Sequence, residues 1–262
     1  KMQIEFISAN PTGPLTIGNG RGGFYGDVLS NVLETQGYKI TREFYINDRG
    51  GQILALGRSI KLSQGKSISL SKTESDNLYK GEYINELAKI IDKNLSVEEA
   101  GQAAVKLILE TYIKPAIKRL GIKYDVWFSE HTLYKNDFYE KVFKKLMNGN
   151  WVYEKDGATW MKTSELGDSE DRVLIKSNGD ETYFMSDILY HINALNKEGI
   201  YNFIITGHSQ GGAIANMLRA YLENLSHNEI SKKNKFKTYA FAAPMVGNKK
   251  FAEEYNARYG VN

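Results

Sequence analysis

The chain contains no cysteine, and its 262 residues include only four prolines and four histidines. Without cysteine there is no disulfide, no thiolate nucleophile and no cysteine-based metal site. His131, His191, His208 and His227 are scattered with no ligand spacing, so no metal site is expected. No apolar run reaches membrane-spanning length, and no charged-then-apolar leader opens the chain. Neither sign of charge dominates, and the formal net charge of +3 is too mild to mark a nucleic-acid binder. There is no internal repeat and no low-complexity segment. What remains is ordinary globular composition, 42% hydrophobic and 25% charged, long enough for one large domain or two smaller ones. A cytoplasmic protein without a tightly bound cofactor is the expectation. Lys1 abuts a predicted strand, so the reading frame is expected to extend upstream.

The stretch IEFISANPTGPLTIGNGRGGFYGDVL (residues 4–29) organises the rest. It reads as a strand over Ile4–Ser8, a loop holding Pro11, Gly13 and Pro14, and a helix from about Gly20 towards Gln36. A strand that passes to a helix start through glycine makes an anion site, because unpaired amides and the helix dipole point the same way. Gly37 stops the helix, and Lys39–Ile46 alternates as a second strand, giving a βαβ unit and a parallel sheet. Gly18, Gly20 and Gly23 formally satisfy G-x-G-x-x-G, but two prolines lie between the strand and the first glycine, the wrong geometry for a dinucleotide fold. No P-loop occurs. From Gln52 to about Arg119 the periodicity is helical, interrupted by a polar Ser63–Asn77 stretch read as a loop, with Pro115 kinking or restarting the last helix. From Val126 the texture is β-rich. Hairpins are predicted across Asp156-Gly157 and Asn178-Gly179, the latter a type I′ signal.

The blocks IEFISANPTGPLTIGNGRGG, GDVLSNVLETQGYKITREFYINDRGGQI, YKGEYINELA, LGIKYDVWFSE, VYEKDGATW and GDSEDRVLIKSNGDETYFMSDILYH resemble the catalytic core of arginyl-tRNA synthetases, a class I family, over about residues 1–193. The resemblance implies a Rossmann-type nucleotide-binding core that takes L-arginine and ATP with magnesium to make arginyl-adenylate, with tRNA as a further partner. It places the amino acid against Glu5, Ser8 and Asn10, and the other side of a guanidinium pocket at Tyr183 and Asp187, four apart on one face if helical. It places ATP against Pro11, Thr12, Gly13, Gly18 and Gly20. The family carries His-Ile-Gly-His at the helix start; here the positions are Thr16, Ile17, Gly18 and Asn19. Both catalytic imidazoles are replaced, and the second phosphate-gripping loop and the anticodon-binding region do not appear. Impaired adenylation is therefore expected, since losing one preorganised donor costs about 10²–10³ in rate.

A second constellation lies downstream. Gly207-His208-Ser209-Gln210-Gly211 is a G-x-S-x-G between a predicted strand (Asn202–Thr206) and a predicted helix (Gly212–Leu225), the context a nucleophile elbow needs. GHSQGGAIANML with TYAFAAPMVGN resembles the class 3 lipases, an α/β-hydrolase family, over about residues 196–262. That resemblance implies Ser209 as nucleophile, the Gln210 amide in an oxyanion hole, and a lipid or ester substrate. The family's acid and histidine follow the strand matching TYAFAAP, so the triad is expected to be incomplete here.

The resulting expectation is an α/β composite. Residues 1–62 form the first half of the Rossmann-type core, 63–125 a helical segment, 126–193 a β-rich insertion with the amino-acid pocket, and 196–262 a strand–elbow–helix–strand hydrolase-like fragment. A synthetase-like ligase core is the leading function, a serine esterase the alternative, and a non-catalytic composite the third.

Overall fold

The computed structural model describes residues 1–135, 137–166, 168, 170–195, 202–208 and 235–241. It divides into two compact units, Ile4–Lys135 and Lys1–Gln3 with Asn136–Asn262.

β1 (Met2–Glu5), β2 (Ile40–Ile46) and β3 (Val126–Ser129) form a sheet in that spatial order. β2 and β3 are parallel, in register from Glu43 opposite Val126 to Ile46 opposite Ser129. β1 ends before the predicted Ser8, because Ile7 and Ser8 leave the extended region for φ values of 63° and 42°. Helix α1 (Ile17–Thr35) starts earlier than predicted, because Thr16 and Asn19 close a capping box ahead of Gly20. An aromatic cluster packs the sheet. Phe6 lies 4.6 Å from Tyr124 and Phe44 lies 4.7 Å from Trp127, centroid to centroid, and the Tyr124 hydroxyl donates to the Phe6 carbonyl at 2.8 Å.

The helical periodicity resolves into α2 (Gly51–Ser63), α3 (Lys72–Asp76), α4 (Glu82–Ile90), α5 (Val97–Ile108) and α6 (Lys114–Arg119). Ile53, Leu56 and Ile60 of α2 are buried, as are Ala100, Ala104 and Ile108 of α5. α2 and α5 approach so closely that a Cβ on Gly57 would lie 1.9 Å from the Val97 carbonyl oxygen. The polar stretch read as a loop contains α3, nucleated by a Ser71–Glu74 capping box and tied to α2 by Arg58–Glu74 at 2.8 Å. Pro115 does restart a helix. A π turn over Leu109–Ile113 precedes α6, where the ring's missing N–H leaves the Thr111 carbonyl without its usual donor.

The second unit holds α7 (Phe138–Asn148) and an antiparallel sheet of β4 (Val152–Lys155), β5 (Ala158–Met161) and β6 (Arg172–Ile175). Asp156 and Gly157 both take positive φ, 53° and 73°, as the predicted two-residue hairpin turn demands. The second predicted hairpin is different. Only Gly179 is left-handed, and Lys176 N–H bonds the Asp180 carbonyl at 2.8 Å across a three-residue loop closed by a glycine bulge. Its return strand is a single bridge, Ile175 to Glu181, before the chain winds into α8 (Tyr183–Leu195). Finally β7 (Asn202–His208) and β8 (Lys235–Phe241) pair in parallel, in register from Asn202 opposite Lys235 to His208 opposite Phe241. Parallel neighbours need a long crossover, and residues 209–234 supply its length. The described residues are thus mixed α/β with parallel pairing at two places. Among them no helix is long and apolar enough to cross a membrane.

Candidate functional site

The chain leaves β1 through a backbone that its residues do not favour. Ile7 is β-branched, and a branched side chain at φ 63° is strained by about 1–3 kcal/mol. The turn is held from two sides. Ser8 Oγ accepts the Tyr45 N–H of β2 at 3.0 Å, and the Ser8 N–H closes back on the Phe6 carbonyl at 2.9 Å. Behind it, α1 presses in where it has glycine: a Cβ on Gly26 would fall 2.2 Å from the Phe6 ring, and one on Gly23 would fall 2.8 Å from Ile7 Cδ1. Gly18 and Gly20 serve no such purpose. Gly20 faces open space, and a Cβ at Gly18 would meet only Thr16 Oγ1 at 3.5 Å. The helix glycines that packing requires are therefore Gly23 and Gly26, not the first two of the formal motif.

Beyond the turn, Asn10 Oδ1 accepts from Asn47 Nδ2 at 3.3 Å. Pro11 is buried. The Thr12 carbonyl accepts the Tyr83 hydroxyl of α4 at 2.9 Å, and a Cβ on Gly13 would lie 3.4 Å from the same ring. The loop that the sequence marks for ATP is thereby fixed at both ends before it reaches Thr16.

At Thr16 and Asn19 the side chains answer each other. Thr16 Oγ1 donates to Asn19 Oδ1 at 2.8 Å and accepts the Asn19 N–H at 3.3 Å, while the Thr16 N–H donates to the same Oδ1 at 2.8 Å. The hydroxyl that could have stood in for an imidazole as a donor is committed within the cap.

Glu5 is exposed, yet its carboxyl group sits among enough protein to be partly desolvated, and that raises its pKa. A hydrogen bond from Ser8 works the other way, and the charge of the fully buried Glu43 adds to the rise. Glu5 and Ser8 are thus near one another at the end of β1.

Sequence reasoning did not single out the supports: Tyr45, Asn47, Asp48 and Tyr83. Asp48 clips the ends of β2 and β3, accepting Ser129 Oγ at 2.5 Å and the His131 N–H at 3.0 Å, and its carbonyl accepts Gln102 Nε2 at 2.9 Å. The signal available was position, since INDRGGQI follows directly on a parallel strand, at the edge where α/β sheets hold ligands.

In the other unit, Tyr183 and Asp187 occupy one exposed face of α8, with Tyr183 56% exposed. His191 continues that face one turn on; its Nδ1 lies 2.6 Å from the Asp187 carbonyl oxygen, and desolvation lowers its pKa. Ser209 and Gln210 lie outside the described residues. Among those described, no three acidic or histidine side chains gather as a metal ion would require.

Comparison with known proteins gives two results. The arginine–tRNA ligase of Carboxydothermus hydrogenoformans is 38% identical over 230 residues, 84% of this chain and 41% of that protein. That of Prosthecochloris aestuarii is 42% identical over 204 residues, 73% of this chain and 37% of that one. An arginyl-tRNA synthetase structure from Campylobacter jejuni superposes with a TM-score of 0.73 at 30% identity, over 99% of this chain and 60% of its own. One from Plasmodium falciparum, at 18% identity and a TM-score of 0.63, shares the fold. This chain spans about two fifths of the curated relatives it matches. Separately, residues 174–261 match the class 3 lipase family. The Campylobacter superposition runs across that same stretch. The chain is therefore homologous to arginyl-tRNA synthetases, with a lipase-like signature in its last third.

Proposed function

We propose that this homologue of arginyl-tRNA synthetases is a cytoplasmic core that binds L-arginine and magnesium–ATP but forms arginyl-adenylate poorly. In the reaction the arginine carboxylate would attack the α-phosphorus of ATP and pyrophosphate would leave. Negative charge building on that phosphate needs preorganised donors. The observation that carries the impairment is the Thr16–Asn19 capping box, whose hydroxyl proton points at Asn19 Oδ1 rather than outward. Binding is supported by the clamped Ile7–Gly13 turn, in which Ser8 is tied to Tyr45, Asn10 to Asn47 and Thr12 to Tyr83. Glu5 would receive the guanidinium, and Pro11, Thr12, Gly13, Gly18 and Gly20 would face the nucleotide.

Titration calorimetry of each ligand, set beside arginine-dependent ATP–pyrophosphate exchange, tests this. Binding of both ligands with exchange about 10²-fold or more below a Thr16→His/Asn19→His variant supports the proposal. Absence of binding by either ligand, or exchange that the histidines do not improve, overturns it.

A second reading, a serine esterase with Ser209 as nucleophile, is favoured by the lipase-family match and by parallel strands β7 and β8 on either side of the elbow motif. A parallel pair suits a nucleotide-binding fold equally well, so the topology does not discriminate. Fluorophosphonate labelling that disappears in Ser209→Ala would establish this reading; no labelling would dismiss it.

A further inference from the structure

Far along the chain from α1, the α4–α5 connection and the residues following α2 line a cavity of about 390 Å³ that is broadly open to solvent. Lys61, Lys66, Lys93, Asn94 and Ser96 line it. Lys61 is only 5% exposed. Its ammonium donates to the Lys93 carbonyl at 3.0 Å and has no other hydrogen-bond acceptor among the described residues. An ammonium carries three donors, and a buried charge is tolerated when those donors meet acceptors. Lys66 and Lys93 are exposed at the rim, and among the described residues neither ammonium has an ion-pair partner.

The counter-charge is limited. Glu99 supplies one carboxylate that interacts with the Lys61 charge, and it also accepts the Ser96 N–H at 2.8 Å. Asp92 uses Oδ1 on the Asn94 N–H at 2.9 Å. The lining side chains themselves include three cations and no carboxylate.

We propose that this cavity is an oxyanion site for a phosphoryl group, supplied either as free phosphate or by an RNA strand. Lys61 forms its floor, and Lys66 and Lys93 close on the anion from the rim. The Ser96 hydroxyl accepts the Glu99 N–H at 3.2 Å and is committed to the capping box with Glu99, so the lysines alone supply the donors. The site is independent of the nucleotide reading of α1.

The test uses the full chain in chloride buffer, titrated calorimetrically with inorganic phosphate. A fluorescent single-stranded RNA of about 12 nucleotides is followed in parallel by anisotropy. Two exposed positions carry the decisive variant, Lys66→Ala/Lys93→Ala, which leaves the core intact; Lys61→Met is the companion. The double variant should weaken phosphate about 100-fold, tenfold for each lost charged contact. If the strand is the source, the RNA binds and phosphate alone does not. The double variant then flattens the log–log salt dependence by about 1.4, or 0.7 per contact. Binding of neither probe, or a double variant equal to the parent with both, overturns the proposal. Failure of Lys61→Met to fold leaves the double variant to decide.

Discussion

Among the described residues, two turns place a consecutive pair of residues in the left-handed region, and they do so with opposite kinds of residue. At Asp156-Gly157 the φ values are 53° and 73°, and the residues are those that such a hairpin prefers. At Ile7-Ser8 the values are 63° and 42°, and the residues oppose them. The hairpin costs little and joins β4 to β5. The exit from β1 stores strain, and three groups hold it: the Tyr45 N–H on Ser8 Oγ, the Phe6 ring filling the space over Gly26, and Tyr124 donating to the Phe6 carbonyl. Strain that the surroundings must enforce gathers where a ligand is to be presented. The contrast separates a turn that shapes scaffold from one that shapes a site.

The strongest way to break that contrast is to fill the space behind the strained turn. Gly26→Ala places a methyl 2.2 Å from the Phe6 ring and should cost about 3 kcal/mol in urea unfolding, because packed cores resist added volume. An unchanged midpoint would mean that α1 does not enforce the turn. Next, Ser8→Ala strands the Tyr45 N–H and should cost about 2 kcal/mol while also weakening arginine binding. Ser8→Gly loses the same hydroxyl but relaxes a residue at φ 42°, so it should be the milder of the two. The reverse order would remove strain from the account.

Glu5 gives the comparison a proton. Desolvation holds its pKa above the ordinary value in the free protein, and an arginine guanidinium beside it would pull that pKa down. Binding at a pH near or below the free-protein pKa, and above the bound-state pKa, must then release a proton, and calorimetry is run there. Affinity is full at pH values above the free-protein pKa, and it falls about tenfold per unit as the pH drops below it, until the bound-state pKa is reached. Calorimetry in buffers of different ionisation heat reads the proton directly, and arginine binding with no released proton would remove Glu5 from the pocket. The smallest effect belongs to the scaffold turn. Gly157→Ala at φ 73° should cost about 1 kcal/mol and leave arginine affinity untouched. A loss of affinity there would erase the distinction between the two turns.

Local chemistry made much of the architecture legible. Apolar residues three and four apart marked α2, α4 and α5, alternation marked β2, and Asp-Gly marked the β4–β5 turn. The misreadings have physical causes. A hairpin across Asn178-Gly179 predicts a return strand, but from Tyr183 the chain is helical, because Met185, Ile188 and Leu189 repeat with helical spacing and are buried. α3 was hidden in a polar run because its stability comes from capping and an ion pair, neither of which shows as hydrophobic periodicity. α1 begins before Gly20 because the pairing of Thr16 with Asn19, which no periodicity signals, sets the boundary.

What the sequence determined by itself is whatever neighbours along the chain can decide: helix periods, hairpin signals, the absence of cysteine chemistry, and the ordered blocks shared with arginyl-tRNA synthetases. What only the tertiary structure decided is how those blocks are held. Ile7 and Ser8 bend against their own preference because Tyr45 and α1, distant in sequence, make any other path worse. Tyr83 reaches from α4 to pin Thr12, and Asp48 ties β2 to β3. Backbone strain is invisible in a residue string, since it exists only where contacts from elsewhere outweigh local preference.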